Sequence, residues 1–206
     1  MQDHWNNIYR SKDTTELGWY EDSPDESLFL IKQSEIKKDH RILDVGSGSS
    51  KLIDTLIEEG YSNIIALDLS EEAFIKSKIR IGNKSSLVKW VVGNILEIDF
   101  TQKIGSIDLW HDRAMLHFLI EPEDQNRYFN LIKHHVTKGG HVVLATFAKS
   151  TVSQCSGLDI LNYDLEMFRQ RLGVEFILVE TKNFTYTMPS GSTRNYIYVH
   201  FQKIID

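Results

Sequence analysis

Residues 42–52 read ILDVGSGSSKL, and this short stretch decides the fold that we predict for the whole chain. An apolar run over residues 41–45 has strand character and ends at two glycines. A helical pattern with an apolar stripe follows directly, over residues 51–59. A strand, a glycine turn and a helix in this order open an α/β unit, in which the ligand lies beyond the carboxyl end of the strand.

The rest of the chain repeats this alternation of strand and helix patterns. Further strands are predicted over residues 63–68, 87–92, 107–110, 141–147, 175–180 and 196–202, and helices after Ser70, after Pro122 and over residues 163–172. The strands are almost continuously apolar, as a parallel sheet covered on both faces requires. The last two read as a hairpin. We therefore predict one α/β domain over residues 1–206, a doubly wound, mostly parallel seven-stranded sheet with one antiparallel strand.

The composition is that of an ordinary globular protein. The 206 residues carry a net charge of -6 and a single cysteine. The charge disfavours nucleic acid as a partner, and one cysteine allows neither an intramolecular disulfide nor a cysteine-based zinc site. No apolar run reaches the length of a membrane span, and the first residues lack the pattern of a signal peptide. We expect a cytoplasmic monomer without a metal, a membrane partner or a nucleic-acid partner.

The glycine turn indicates the kind of ligand. Lys51 stands where a dinucleotide-binding turn has its third glycine, and no phosphate-binding P-loop is present. Asp44 would repel a pyrophosphate and would suit a cationic amine. Gly46 and Gly48 let the backbone approach a ligand closely, and Asp68 ends the second strand, where a carboxylate can accept hydrogen bonds from a ribose diol. A ribose, a positive group and no phosphate describe S-adenosylmethionine.

Three stretches resemble motifs of the class I S-adenosylmethionine-dependent methyltransferases. ILDVGSGSSKL resembles the first motif, with Ser50 in place of the usual third glycine. ALDLS resembles the second, which implies that Asp68 binds the ribose hydroxyls and that Leu69 lies beside adenine. VVGNILEIDF resembles the third. There Asn94 replaces a common aspartate as acceptor for the adenine amino group, and Ile95 is expected to form an apolar adenine wall.

A fourth stretch, IDLWHDRAMLHFL, resembles the segment that faces the transferring methyl group in one branch of this family. The branch includes small bacterial enzymes and some protein lysine methyltransferases. Asp112 is the predicted catalytic and cofactor-tail residue, with His111 beside it as the second catalytic candidate. The resemblance also implies an amino-terminal cap over the cofactor, residues 1–35. Trp5 and Tyr9 lie one helical turn apart within this cap, and Trp19 is a further candidate.

The methyl acceptor remains open between a small molecule and a protein lysine. A small acceptor predicts a closed pocket beneath the cap and a substrate loop over residues 148–163. The candidate pocket residues are Cys155, Ser156, Gly157, Tyr163, Arg194 and Tyr196. A protein lysine predicts an open acidic groove, to which Asp112, Glu121, Glu123 and Asp124 would contribute.

Two readings outside this enzyme class also stand at this point. A catalytically inactive protein that binds S-adenosylmethionine and scaffolds a partner is compatible with the altered positions Ser50 and Asn94. A nicotinamide-dependent oxidoreductase is disfavoured, because the third glycine is missing and Asp44 opposes a phosphate. The leading prediction is a methyltransferase that converts S-adenosylmethionine to S-adenosylhomocysteine.

Overall fold

The computed structural model describes residues 1–149 and 152–205, and its centre is a seven-stranded sheet. The strands of this sheet are β1 (Ile42–Val45), β2 (Ile64–Asp68), β3 (Val88–Val92), β4 (Ile107–Arg113), β5 (Val136–Phe147), β8 (Phe176–Thr187) and β9 (Thr193–Lys203). Two short strands, β6 (Gln154–Cys155) and β7 (Leu158–Asp159), form a separate hairpin. The order across the large sheet is β3-β2-β1-β4-β5-β9-β8.

Helices cover both faces of this sheet. They are α1 (Gln2–Ser11), α2 (Asp25–Gln33), α3 (Leu52–Glu58), α4 (Glu71–Ile81), α5 (Phe100–Lys103), α6 (Pro122–His135) and α7 (Leu165–Leu172). Successive residues of a strand point to opposite faces. Ile42 accordingly packs with α2, α3 and α4, whereas Leu43 packs with α5, α6 and α7. This double burial explains why the central strands β1 and β2 are almost entirely apolar.

The sheet confirms the predicted fold. β1 to β5 are parallel, and β9 runs antiparallel to both β5 and β8. The two local signals for helix starts also hold, since Ser70 Oγ accepts a hydrogen bond from Ala73 N at 3.3 Å and Pro122 is the first residue of α6. The helix predicted over residues 163–172 begins later, at Leu165, because Asp164 caps it.

Two central strands are longer than the sequence predicts. β5 begins at Val136, directly after α6, and the sequence TKGG lies within the strand instead of ending the helix. Gly139 adopts a φ of 81°, and the pairing with β4 shifts register in this region. β4 extends to Arg113, so the residues that the fourth motif contributes stand at its carboxyl end.

The amino-terminal segment has two parts with different positions. α1 packs over α4, whereas α2 packs beneath the sheet, where Leu30 and Ile31 are buried. The predicted substrate loop, residues 148–163, contains the short β6–β7 hairpin. Its residues 150–151 lie outside the described part of the chain. No helix in the described ranges is long and apolar enough to span a membrane.

Candidate functional site

A cavity of about 590 Å³ lies at the carboxyl ends of β1, β2 and β4. Its roof comes from α1, which contributes Trp5, Ile8 and Tyr9. The β6–β7 hairpin and the first residues of β9 form the far wall. The position is the one expected for the ligand of a doubly wound sheet, and the volume is in the range of small-molecule sites.

Asp68 ends β2 and lines this cavity while it organises the glycine turn. Its Oδ2 accepts a hydrogen bond from Gly48 N at 2.9 Å, and its Oδ1 accepts one from Ser70 N at 2.7 Å. Burial raises the pKa of the Asp68 carboxyl to about 6, against the lowering effect of these two hydrogen bonds. Each carboxylate oxygen has a further lone pair, so Asp68 can still accept hydrogen bonds from a pair of hydroxyls.

The two glycines of the turn are required by the side chains that cover them. Gly46 has a φ of 66°, and a Cβ there would lie 2.5 Å from Met115 Cβ. Gly48 has a φ of 52°, and a Cβ there would lie 2.3 Å from Tyr9 Oη. Gly46 lines the cavity, whereas Gly48 is absent from its wall. Any larger residue at either position would displace the neighbouring side chain and strain the backbone.

The second and third motifs contribute the part of the cavity beside β2 and β3. Leu69, Asn94 and Ile95 all line it. The amide of Asn94 is held by its own turn: Oδ1 accepts from Leu96 N at 3.1 Å, and Nδ2 donates to Glu97 Oε1 at 2.9 Å. Its oxygen keeps one lone pair for a ligand donor.

The aromatic residues of the cap form a connected cluster over the cavity. The ring of Trp5 meets Trp19 at 5.7 Å and Phe118 at 5.1 Å, both edge to face. Tyr9 meets Trp19 in the same manner at 6.1 Å. Burial and the neighbouring Asp68 raise the pKa of the Tyr9 hydroxyl, which therefore stays protonated. Trp5, Tyr9 and Trp19 all line the cavity, whereas α2 adds no lining residue to it.

His111 and Asp44 are brought together by the structure, but neither lines the cavity. Asp44 Oδ1 lies 2.6 Å from His111 Nδ1, and His111 Nε2 lies 2.9 Å from Ser27 Oγ. Because a carboxylate only accepts, Nδ1 carries the proton of this contact. The other oxygen, Asp44 Oδ2, has no hydrogen-bond partner among the described residues. The geometry places His111 as a buried link between β1, β4 and α2, and not as a group that touches the reacting atoms.

Asp112 is also directed away from the cavity, and it is fully buried. Its Oδ1 accepts from Met115 N at 3.0 Å and from Leu116 N at 3.3 Å, and its Oδ2 accepts from Tyr128 Oη at 2.6 Å. Burial raises the pKa of its carboxyl to about 6. These bonds fix the turn after β4, where Ala114 adopts a φ of 69°. Asp112 therefore positions the cavity wall, and it cannot belong to an open acidic groove.

Arg113 is the part of the site that the sequence reasoning did not assign. Its guanidinium donates to Trp19 O and to Tyr198 Oη, both at 3.0 Å, and forms a 2.8 Å ion pair with Glu21. Arg113 thus ties the cap to β4 and β9. Arg113 lies within the fourth motif, but no pattern in the sequence indicates that it pairs with residues far away in the chain.

Four of the six candidate pocket residues line the cavity wall near the hairpin and β9. Cys155, Ser156, Arg194 and Tyr196 line the cavity. Tyr163 does not, because it is fully buried in the core and stacks on Phe168 at 5.0 Å. Gly157 is also absent from the wall. Ser156 and Gly157 have φ values of 52° and 77°, the positive pair that a tight two-residue hairpin turn requires.

Of the acidic residues predicted for a groove, Asp124 lines the cavity, whereas Glu121 and Glu123 are exposed outside its wall. Together with the burial of Asp112, this leaves the predicted groove unassembled.

The strand order, the glycine turn and the carboxylate at the end of β2 define an α/β protein that binds a nucleoside cofactor at this edge of the sheet. The sequence profile described as "Methyltransferase domain" matches residues 43–144. The matched domain and the fold are those of the class I methyltransferases, whose cofactor is S-adenosylmethionine. The glycine cradle and Asp68 fit this cofactor.

Solved structures with the same fold include two methyltransferases in complex with S-adenosylhomocysteine. The N-methyltransferase NodS from Bradyrhizobium japonicum has a TM-score of 0.70 at 15% identity, over 98% of this chain and 99% of that one. The 1,6-didemethyltoxoflavin-N1-methyltransferase from Burkholderia thailandensis has a TM-score of 0.68 at 16% identity, over 96% and 81%.

Curated relatives match shorter stretches of the chain and are longer than it. The mouse eEF1A lysine and N-terminal methyltransferase is 23% identical over 123 residues, which are 60% of this chain and 17% of that protein. Mouse EEF1A lysine methyltransferase 2 is 29% identical over 94 residues, 42% of this chain and 38% of the relative. The chain thus spans well under half the length of these relatives.

Proposed function

We propose that this protein transfers a methyl group from S-adenosylmethionine to a small-molecule acceptor bound beneath α1. The observation that carries the proposal is the roofed cavity, which runs from Asp68 and Asn94 at one end to Cys155 and Tyr196 at the other. One end has the groups expected for an adenosine, and the other leaves room for a second small molecule.

The chain contributes mainly by binding, orientation and exclusion of water. S-adenosylmethionine supplies a methyl group that its sulfonium charge activates. Asp68 would hold the ribose hydroxyls, while Leu69 and Ile95 would enclose the adenine. The aromatic cluster of Trp5, Tyr9 and Trp19 covers the cavity and would keep water from it, which favours an in-line displacement between positioned reactants.

The proposal assigns no general base. His111 and Asp112 stand outside the cavity and are held in hydrogen bonds. They would act as positioning residues, His111 through Asp44 and Asp112 through the turn at Ala114. An acceptor whose attacking atom has a free lone pair at neutral pH needs no base.

A protein lysine is the second candidate acceptor, and the curated relatives named for eEF1A lysine methylation motivate it. It would have to reach the cavity past α1 and the hairpin, without the acidic groove that would attract a cationic side chain. We therefore favour a small-molecule acceptor over a protein lysine.

Calorimetric titration with S-adenosylmethionine and S-adenosylhomocysteine tests the cofactor site. Asp68→Asn should weaken both affinities by about tenfold or more, because hydrogen bonds to a charged group contribute roughly 1.5–3 kcal/mol. Asp108→Asn is the matched control: this carboxylate also accepts from a backbone N–H, Arg41 N at 2.8 Å, but at the other end of β4. Equal affinities for the two variants would contradict the assignment of Asp68.

Methyl transfer is then tested with a cofactor that carries a deuterated methyl group. The protein is incubated separately with a low-mass filtrate and with the protein fraction of a cell extract, and label is followed by mass spectrometry. Label in the filtrate alone is expected. Label in the protein fraction alone would support the lysine acceptor, and cofactor binding without transfer to either would support the inactive scaffold; both results would overturn the proposal.

A further inference from the structure

We propose that the acceptor is a small molecule with an acidic group, which Arg194 and Tyr196 bind at the far end of the cavity; this inference rests on the proposed function. The acceptor end is the part of the cavity wall formed by Phe147, Cys155, Ser156, Met188, Arg194 and Tyr196.

The first argument is an unbalanced positive charge. Two arginines line the cavity, and Arg113 is neutralised by Glu21 at 2.8 Å. Arg194 has no such partner: its Nη1 donates to the neighbouring Thr193 O at 2.9 Å, and no described carboxylate lies within ion-pair distance. A half-buried guanidinium with free donors at a cavity wall is suited to a carboxylate or another oxyanion.

The second argument is a hydroxyl at the cavity wall. Tyr196 is only 1% exposed and lines the cavity, and the side-chain partners of its ring are Phe147, Tyr186, Tyr198 and the Arg113 guanidinium, which leave its hydroxyl available to a ligand. Buried tyrosine hydroxyls usually have a partner, and one that lines a cavity can find it in a ligand. Burial raises the pKa of the Tyr196 hydroxyl, so this group remains a neutral donor.

The third argument is that β9 presents the two groups together. Arg194 and Tyr196 are two residues apart on one strand, so their side chains leave the same face of the sheet. Tyr196 packs against Phe147, with 4.8 Å between ring centroids. Two donors beside an aromatic wall suit a molecule that has an apolar, planar body and one acidic group.

The same charge disfavours a cationic acceptor. The carboxylates among the described wall residues are Asp68, which is bonded to the glycine turn, and Asp124 on α6. Neither forms an ion pair with Arg194. A lysine ammonium at the acceptor end would therefore meet an unneutralised guanidinium, and like charges at short range repel each other.

The test measures binding of matched acids and amides to the protein saturated with S-adenosylhomocysteine. The probes are a panel of aromatic and heteroaromatic carboxylic acids, each paired with its primary amide, and affinities are measured by calorimetry. At least one acid should bind about tenfold or more tightly than its amide, since charge-assisted hydrogen bonds are the stronger kind.

Variants then locate the acidic group. Arg194→Gln should weaken the best acid by about fivefold or more and leave the paired amide nearly unchanged, whereas Tyr196→Phe should weaken both and the acid more strongly. Arg169→Gln is the matched control, because it removes the same charge from an exposed position on α7, away from the cavity wall. Circular dichroism and thermal unfolding establish that every variant is folded.

Two results would overturn the inference: acids and amides binding equally, or neither series binding to the cofactor-loaded protein. An Arg194→Gln variant that binds the acid as well as the wild type does would overturn it too. Titration with S-adenosylhomocysteine distinguishes failure of the acidic-acceptor inference from failure of the proposed function. Loss of that binding refutes the cofactor site, whereas intact binding with methyl transfer to a neutral or cationic small molecule refutes only the acidic acceptor.

Discussion

Lowering the pH from 8 to 5 should weaken the binding of S-adenosylhomocysteine by about tenfold, because Asp68 takes up a proton. Burial raises the pKa of this carboxyl to about 6 in the free protein. Ribose hydroxyls that donate to the carboxylate stabilise its charged form, so the pKa in the complex is lower. Protonation therefore competes with binding, and the affinity falls as the pH falls through 6.

The size of the effect follows from the fraction of ionised carboxylate. With a pKa of about 6, nearly all of Asp68 is ionised at pH 8, and about one molecule in eleven is ionised at pH 5. If only the ionised form accepts both hydroxyls, the dissociation constant rises about elevenfold, or roughly 1.4 kcal/mol. A residual hydrogen bond to the protonated acid would make the rise smaller.

Calorimetry at constant ionic strength between pH 5 and 8 measures this directly, with Asp68→Asn as the comparison. The variant should bind weakly at every pH and show a flat profile. Asp112 has a pKa of about 6 as well but does not line the cavity, so any slope that remains in Asp68→Asn reports its indirect effect. A wild-type affinity that is constant down to pH 5, or equal slopes in both proteins, would refute the reasoning.

Three substitutions test other parts of the structure. Gly48→Ala should abolish tight S-adenosylhomocysteine binding, since its Cβ would meet Tyr9 Oη at 2.3 Å. The control is Gly60→Ala, at a φ of 87° with no atom within 4 Å of the added Cβ. Gly60→Ala should bind normally and lose only roughly 1–2 kcal/mol of stability in urea unfolding, from backbone strain. If the two variants bind alike, Tyr9 does not matter to the turn. His117→Phe should reduce the loss of stability below pH 6.5. Burial lowers the pKa of His117 to about 3, so only the unfolded state gains this proton, and the wild type loses up to about 1.4 kcal/mol per pH unit; parallel urea-derived profiles from pH 7 to 5 would count against this. Asp112→Asn should destabilise the protein by about 1–3 kcal/mol, because one amide oxygen replaces two acceptors. As a positioning residue it should leave the pH profile of cofactor binding unchanged in shape, and a flattened profile would assign it a direct contact.

The fold could be predicted because its signals are local. β1, β2 and β3 are short, mostly apolar runs that end at a glycine or an acid. Ser70 marks a helix start through its side-chain cap, and Pro122 marks another through its fixed backbone angle. The glycine turn and Asp68 lie twenty residues apart, a spacing that one α/β unit sets. These residues face the cavity or organise the turn beside it, as the sequence led us to expect.

The roles of His111 and Asp112 could not be predicted in the same way. Both stand near the end of β4, but both faces of the sheet are covered, so their side chains enter the two buried layers. The residues just beyond the strand, Ala114 and Met115, reach the cavity instead. Which residue is the last to be buried depends on Tyr128 and Ser27, and these partners are distant in the sequence.

The hairpin after β5 was missed although a signal was present. Ser156 and Gly157 both have positive φ, and a serine–glycine pair between short runs is a known turn signal. The polar segment over residues 148–163 is long, and its length favoured the prediction of a loop over that of a hairpin. Arg113 is different, because its partners Glu21 and Tyr198 come from the two ends of the chain, and no local pattern joins them.

The reversed direction of β9 has a consequence for how such a protein can change during evolution. Because β9 runs against its neighbours, its first residues stand at the cavity, next to the turn that follows β8. The residues that we propose to bind the cofactor follow β1, β2 and β3, at the opposite side of the sheet. Insertions or substitutions near residues 188–194 can therefore reshape the choice of acceptor while the nucleoside contacts stay intact. The same fold can in this way acquire new substrates while its methyl-donor site stays unchanged.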